Sequence, residues 1–329
     1  ATSNQQPATS NQQPATSNQQ PATSNRVLLG MLRALTLAGL LSITAAAPPN
    51  DRGRPVILLV HGRGMTDRDT SAMRKLWFGA LRSGFIAAGG DSLVTERDVR
   101  VVWYADVLNP RATTGCDYER GDPRAKRDAA EDPDLKSLVS MAGNLLDALT
   151  NMIADTETTS QLRGLAADAS FLSDVRKRCA SERRLADAID RARGEGRPII
   201  LVAHSLGSLV AYDYLSTRTD SVLVNRLVTI GSMLGSPVRH VLIGGDSTDT
   251  LSRPPSVKEW VNVRNEQDPL AVPLSVGRDI AANPPADEPD AHEMIGYLRG
   301  QATAKEVLGG WCGAFQSNRP RGCKDVVPK

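Results

Sequence analysis

Ser205 stands between two contrasting stretches. The five residues Ile199-Ile200-Leu201-Val202-Ala203 are continuously apolar, the pattern of a strand buried on both faces. Beyond the serine, Leu206, Leu209, Val210 and Leu215 recur at helical spacing. A serine at so sharp a strand-to-helix turn would lift its Oγ above the sheet edge. The helix N-terminus would bring backbone N–H groups and a positive dipole end to the same place, which suits a developing oxyanion. Ala203 and Gly207, two residues to either side, are small, as a crowded turn requires. A serine hydroxyl is a weak nucleophile at neutral pH. It needs a base, usually histidine, and the base needs a carboxylate to orient it. Two histidines follow Ser205, His240 and His292, and carboxylates stand near them at Glu266, Asp268 and Asp290. The chemistry within reach of these residue types is attack on an acyl carbonyl.

The segment Ala203-His204-Ser205-Leu206-Gly207 resembles the G-x-S-x-G elbow of the α/β-hydrolase family, with Ala in the first small position. A second buried-strand signal, Pro55-Val56-Ile57-Leu58-Leu59-Val60, runs into His61-Gly62-Arg63-Gly64-Met65. This is also like the family, in which that loop donates one N–H of the oxyanion hole. The resemblance therefore implies Arg63 or Gly64 as one donor and Leu206 as the other. His61 is expected to hydrogen-bond within its loop rather than act as the base. The family's chain order of serine, acid, histidine selects Ser205, Asp268 and His292. Asp268 follows a strand over residues 258–264, His292 comes after it, and His240 comes before it. Glu266 and Asp290 remain rival acids, Asp268 alone also reads as a turn cap before Pro269, and His292 alone as a surface helix residue. The resemblance implies an esterase or lipase-like serine hydrolase acting on small-molecule or lipid esters, with no cofactor and no metal. Amidases, thioesterases and peptidases share the fold. The contrasting class is a non-catalytic envelope binding protein.

The elements around these residues alternate. A helix is expected over residues 73–88, with Leu76, Trp77, Leu81 and Phe85 on its apolar face, and a strand over 99–104. Strand, helix, strand is the unit of a parallel sheet. Residues 171–193 read as the helix leading into the Ser205 strand, ended by Gly194 and Gly196. Residues 227–230 and 258–264 read as further strands, and a short helix opens at Asp290 and runs to Leu298. The expected fold class is α/β, a mostly parallel sheet of about six strands flanked by helices. An insertion over residues 106–170 interrupts it. Within that insertion Leu138, Met141, Ala142, Leu145, Leu149, Met152 and Ile153 form a helical stripe. The stripe is either a helix packed on the sheet or a lid over Ser205 that touches a membrane surface. Residues 300–329 read as an irregular tail.

Composition narrows the partners. The chain has 329 residues, a net charge of +2 and 4% aromatic residues, so neither a basic footprint nor a base-stacking platform points to nucleic acid. Residues 1–25 repeat Ala-Thr-Ser-Asn-Gln-Gln-Pro, have no large apolar side chain and are expected to be disordered. The DNA heptamer GCAACCA, read through three successive frames, encodes this same heptapeptide, so the segment is expected to reflect tandem DNA. Residues 26–47 then carry Arg33, an apolar run over 34–43 and Ala45-Ala46-Ala47, the layout of a signal peptide, with an uncleaved anchor over 27–47 as the alternative. Export would place the domain, residues 48–329, in the periplasm or outside the cell. The 4 cysteines would then form disulfides. Cys312 with Cys323 is the local pairing, which leaves Cys116 for Cys179.

Overall fold

The computed structural model describes residues 51–62, 69–90, 92–108, 115–119, 122, 124, 174–218, 221–235, 251–283, 285 and 287–326. The heptapeptide repeat, the signal-peptide segment and most of the insertion, including its helical stripe, lie outside these residues. Six strands form one sheet: β1 (Val56–Val60), β2 (Val99–Val102), β3 (Ile199–His204), β4 (Val224–Ile230), β5 (Val257–Asn265) and β6 (Arg278–Ala282). Their order is β2-β1-β3-β4-β5-β6 and every pairing is parallel. β1 and β3 are buried along their whole length, as continuous apolar runs in a parallel sheet must be.

Helices cover both faces. The described helices are α1 (Thr70–Ala87), α2 (Ala105–Leu108), α3 (Val175–Gly194), α4 (Leu206–Ser216), α5 (Met294–Arg299), α6 (Gln301–Gly313) and α7 (Cys323–Val326). Alternate residues of β1 divide the core between the faces. Val56, Leu58 and Val60 join Leu185 and Ile189 of α3 and Leu209 of α4. Ile57 and Leu59 join Trp77 and Phe85 of α1, Leu298 of α5, and Leu308 and Trp311 of α6. The chain leaves β1 for β2 on one side and reaches β3 on the other. The C-terminal ends of β1 and β3 therefore lie at the switch point of the sheet, where open α/β sheets leave a crevice for ligands.

Two expectations are corrected, and one strand is added to those expected. Leu76, assigned to the buried face of α1, is 46% exposed, and Met73, Ala80 and Gly84 complete that face instead. The edge strand β6 carried no recognisable pattern, because only its residues 280–282 are apolar. The tail is not irregular from residue 300. Ala304, Val307, Leu308 and Trp311 recur at helical spacing and are buried. Gly309 and Gly310 hid that pattern, yet both have a packing reason. A Cβ on Gly309 would lie 3.0 Å from Arg226 Nη1, and one on Gly310 2.9 Å from Arg226 Cδ. The arginine lies across the helix where side chains would otherwise stand.

Both disulfides are formed, Cys116–Cys179 and Cys312–Cys323. The first ties a described piece of the insertion to α3, helped by the Tyr118 hydroxyl, which donates to Glu182 at 2.9 Å, and by an ion pair of Arg124 with Glu182. The second holds α7 against α6. Two disulfides are consistent with an oxidising compartment. No helix among the described residues is long and apolar enough to cross a membrane. The Cys312–Cys323 bond closes a separation of 11 residues, which corresponds to about 3 kcal/mol on the chain-entropy model. Replacing both cysteines by alanine should lower the unfolding free energy by about that amount, read as an earlier urea midpoint. An unchanged midpoint would show that the tail is held by Trp311 and its neighbours alone.

Candidate active site

β3 ends at His204 and α4 begins at Leu206, so Ser205 alone makes the turn. It does so at φ 50° and ψ −123°, in the half of the map that residues with a Cβ avoid. The neighbours explain why small residues flank it. A Cβ on Gly207 would lie 2.5 Å from the His61 carbonyl oxygen and 2.9 Å from that of Val60. One on Gly62 would lie 3.0 Å from Ser205 Cβ. Hydrogen bonds hold the turn from beneath. The Ser205 N–H donates to the Ile230 carbonyl at 3.1 Å. The Ser208 hydroxyl donates to the Ser205 carbonyl at 2.6 Å and stands 2.8 Å from Ser232 Oγ.

Asp268 lies in the loop after β5, and His292 lies in the turn just before α5 rather than within a helix. The structure brings both to Ser205. His292 Nε2 is 2.9 Å from Ser205 Oγ, and Nδ1 is 2.8 Å from Asp268 Oδ2. An ionised carboxylate can only accept, so Nδ1 carries the imidazole proton and Nε2 accepts from the serine hydroxyl. Asp268 Oδ1 accepts from the Leu270 N–H at 2.9 Å, and Oδ2 also accepts from the Tyr297 hydroxyl at 2.7 Å. Burial alone would push the Asp268 carboxyl up. The donors His292, Tyr297 and Leu270 outweigh burial and hold it below its ordinary range. The rival acids are placed differently. Glu266 is exposed and pairs with Arg264 at 3.7 Å. Asp290 accepts from the backbone N–H of His292 at 2.8 Å, which shapes the turn.

Three residues that sequence reasoning passed over fix the two loops. Asn265, the last residue of β5, donates from Nδ2 to the Ala291 carbonyl at 3.0 Å and accepts at Oδ1 from the Gln267 N–H at 3.0 Å. One side chain thus joins the acid loop to the histidine loop. His204 donates from Nε2 to the His292 carbonyl at 2.8 Å. Tyr297 reaches Asp268 from α5. An asparagine before a turn reads from sequence as punctuation, and a lone tyrosine in a short helix as core. The signals were present only as nearness in the chain to Asp268, Ser205 and His292.

His61 is held within its loop, as its position after β1 suggested. Nε2 accepts from the Tyr104 N–H at 3.2 Å, so Nδ1 carries the proton that goes to the Gly62 carbonyl. Its ring stacks on Tyr104, whose hydroxyl donates to the His61 carbonyl at 2.6 Å. Of the expected oxyanion donors, Leu206 opens α4, so its amide belongs to the first turn, which has no intrahelical acceptor. Arg63 and Gly64 lie outside the described residues, as does His240. Among the described residues no group of three or more His, Cys, Asp or Glu side chains could hold a metal ion. What the arrangement can do is move a proton from Ser205 Oγ to His292 while Asp268 balances the imidazolium.

Two of these histidines set a pH dependence. Burial lowers His61 to about 4 and His204 to about 3, against an ordinary value of 6.5. Unfolding exposes both rings, which then take up protons below pH 6.5 while the folded state does not. Their contribution is therefore complete above that pH and is lost as pH falls. From pH 7 to pH 5 each ring should remove about 2 kcal/mol of stability. Urea unfolding at the two pH values checks this; equal midpoints would contradict neutral buried rings.

No family model matches this chain, and no curated protein matches it.

Proposed function

We propose that the protein is a serine hydrolase of the α/β-hydrolase fold that cleaves carboxylic esters, from small molecules or lipids, through an acyl-enzyme on Ser205. The observation that carries this reading is a strained serine whose Oγ lies 2.9 Å from His292 Nε2, while Nδ1 of the same ring lies 2.8 Å from a buried carboxylate. Nucleophile, base and orienting acid are each within hydrogen-bond reach of the next. The place of Ser205 at the end of β3, at the switch point of a parallel sheet, adds support, since ligands enter such sheets there.

In this reading Oγ attacks the ester carbonyl as its proton passes to Nε2. The carbonyl oxygen becomes an oxyanion facing the Leu206 amide. Asp268 stabilises the imidazolium. His292 then gives its proton to the departing alcohol oxygen, and the carbon–oxygen bond breaks. Water repeats the attack through the same base, which releases the acid and restores the serine. No step calls on a cofactor. An ester asks less of this relay than an amide does, because an alkoxide leaves more readily than an amide anion. The two disulfides support export, with residues 26–47 as the signal peptide and the periplasm or the cell exterior as the destination.

A fluorophosphonate probe should label the folded protein at Ser205 and fail to label Ser205→Ala. On nitrophenyl esters, Ser205→Ala and His292→Ala should lower kcat by about 10⁴-fold or more, and Asp268→Asn by about 10⁴-fold. Asp268→Asn is the most telling of the three, because it keeps shape and removes charge. Labelling absent from folded wild-type protein, or Ser205→Ala within tenfold of wild type, would overturn the reading. Near-normal turnover in Asp268→Asn would reassign the acid.

A further inference from the structure

Asp268 Oδ2 accepts two donors, His292 Nδ1–H at 2.8 Å and the Tyr297 hydroxyl at 2.7 Å. The direction of the second bond is fixed by geometry. The Tyr297 oxygen also lies 3.0 Å from the backbone nitrogen of Asn265. That N–H must donate, so the hydroxyl proton is left for the carboxylate. Tyr297 has little freedom to turn away. It is 6% exposed, and a Cβ on Gly231 would lie 3.1 Å from its Cε2 and 3.2 Å from the His204 ring. Gly231, at φ 55°, is the gap that admits both rings beneath the relay.

We propose that Tyr297 is a positioning residue of the Ser205–His292–Asp268 relay, whose hydroxyl proton shares Asp268 Oδ2 with the imidazole and sets how strongly that oxygen holds His292. This rests on the serine hydrolase reading for its catalytic consequence, though not for its geometry. Each donor on one oxygen withdraws charge from it and weakens it as an acceptor for the other. With the tyrosine in place, the carboxylate stays ionised in a buried site. It does not bind the Nδ1 proton so strongly that the imidazolium would be slow to return its other proton to the leaving group. Burial first, and the Asp268 charge second, push the Tyr297 phenol up from its ordinary value, so it remains a donor. The other ionisable groups that act on this pair are His204 on β3 and Arg264 near the end of β5, with Asp290 at the His292 amide.

The readout is the low-field proton resonance of His292 Nδ1–H in full-length folded protein, identified by its loss in His292→Ala. Tyr297→Phe removes the competing donor, so the resonance should move downfield. Replacing Tyr297 with 3-fluorotyrosine strengthens the donor, so it should move upfield. On nitrophenyl esters, Tyr297→Phe should lower kcat by about 2- to 10-fold, the size expected for one hydrogen bond, with KM little changed. A purely structural tyrosine would instead lower the unfolding midpoint and leave the resonance in place in both variants, which would overturn the proposal. Shifts of the same sign in the two variants would overturn it as well. Where Tyr297→Phe fails to fold, the 3-fluorotyrosine protein, altered by one atom, carries the test alone. The resonance needs no turnover. Opposite shifts in a protein that fluorophosphonate does not label would keep this inference and end the hydrolase reading, and labelling with an unmoved resonance would do the reverse.

Discussion

The site depends on one backbone constraint, the turn of the chain through Ser205 at φ 50°. A side-chain-bearing residue in that conformation costs on the order of 1–3 kcal/mol and persists only where its surroundings over-determine it. Here they do. β3 is held on both sides, by β1 and by β4, so the strand cannot slide to relieve the turn. α4 begins at the next residue and packs Leu206, Leu209 and Val210 into the core. The helix axis is therefore fixed as well. Ser205 is the single residue through which two immobile elements meet. The glycines follow from this constraint, because the carbonyls of Val60 and His61 pass where a side chain at position 207 would stand.

The same crowding divides three histidines into two roles. His61 and His204 are buried with both ring nitrogens committed or enclosed, and burial keeps them neutral over the range in which proteins work. They act as rigid donors to carbonyl groups. His292 has 13% of its side chain exposed and faces a carboxylate on one side and a hydroxyl on the other. It stands between Asp268 and Ser205, whereas the other two rings bond backbone groups. Identity of residue type therefore says little about role. The distinction is made by how much water each ring has lost and by whether a negative group was placed beside it.

This bears on how much could be read from the chain alone. The strands β1, β3 and β5 and the helices α1, α3 and α4 were legible because burial on both faces, or on one helical face, leaves a long periodic trace. Ser205, Asp268 and His292, which the structure brings together, stood out because each follows or precedes such an element. β6 left no trace because an edge strand need bury little, and α6 was hidden because Gly309 and Gly310 interrupt its pattern to admit Arg226. The supporting residues were the hardest to find. Asn265, His204 and Tyr297 act through single hydrogen bonds to groups on other loops. A hydrogen bond between distant segments has no periodicity and so no signature in one sequence.

Those hydrogen bonds also explain how separate loops hold Ser205, His292 and Asp268 within hydrogen-bond reach of one another. Neither the Asp268 loop nor the His292 turn belongs to a strand or helix, and loops are ordinarily the mobile part of a fold. What fixes them is that their backbone groups are satisfied by side chains rooted in the sheet. Asn265 sits at the end of β5 and takes the Ala291 carbonyl and the Gln267 amide. His204 sits at the end of β3 and takes the His292 carbonyl. A shift of either loop would leave a buried donor or acceptor unpaired, at about 1–3 kcal/mol for each group. Ser205, Asp268 and His292 are thus held in register by the sheet, and the loops inherit the rigidity of β3 and β5. On the hydrolase reading proposed above, an arrangement already in place would have little reorganisation left to do as charge develops on the serine and the imidazole, the condition under which fixed dipoles lower a barrier most effectively.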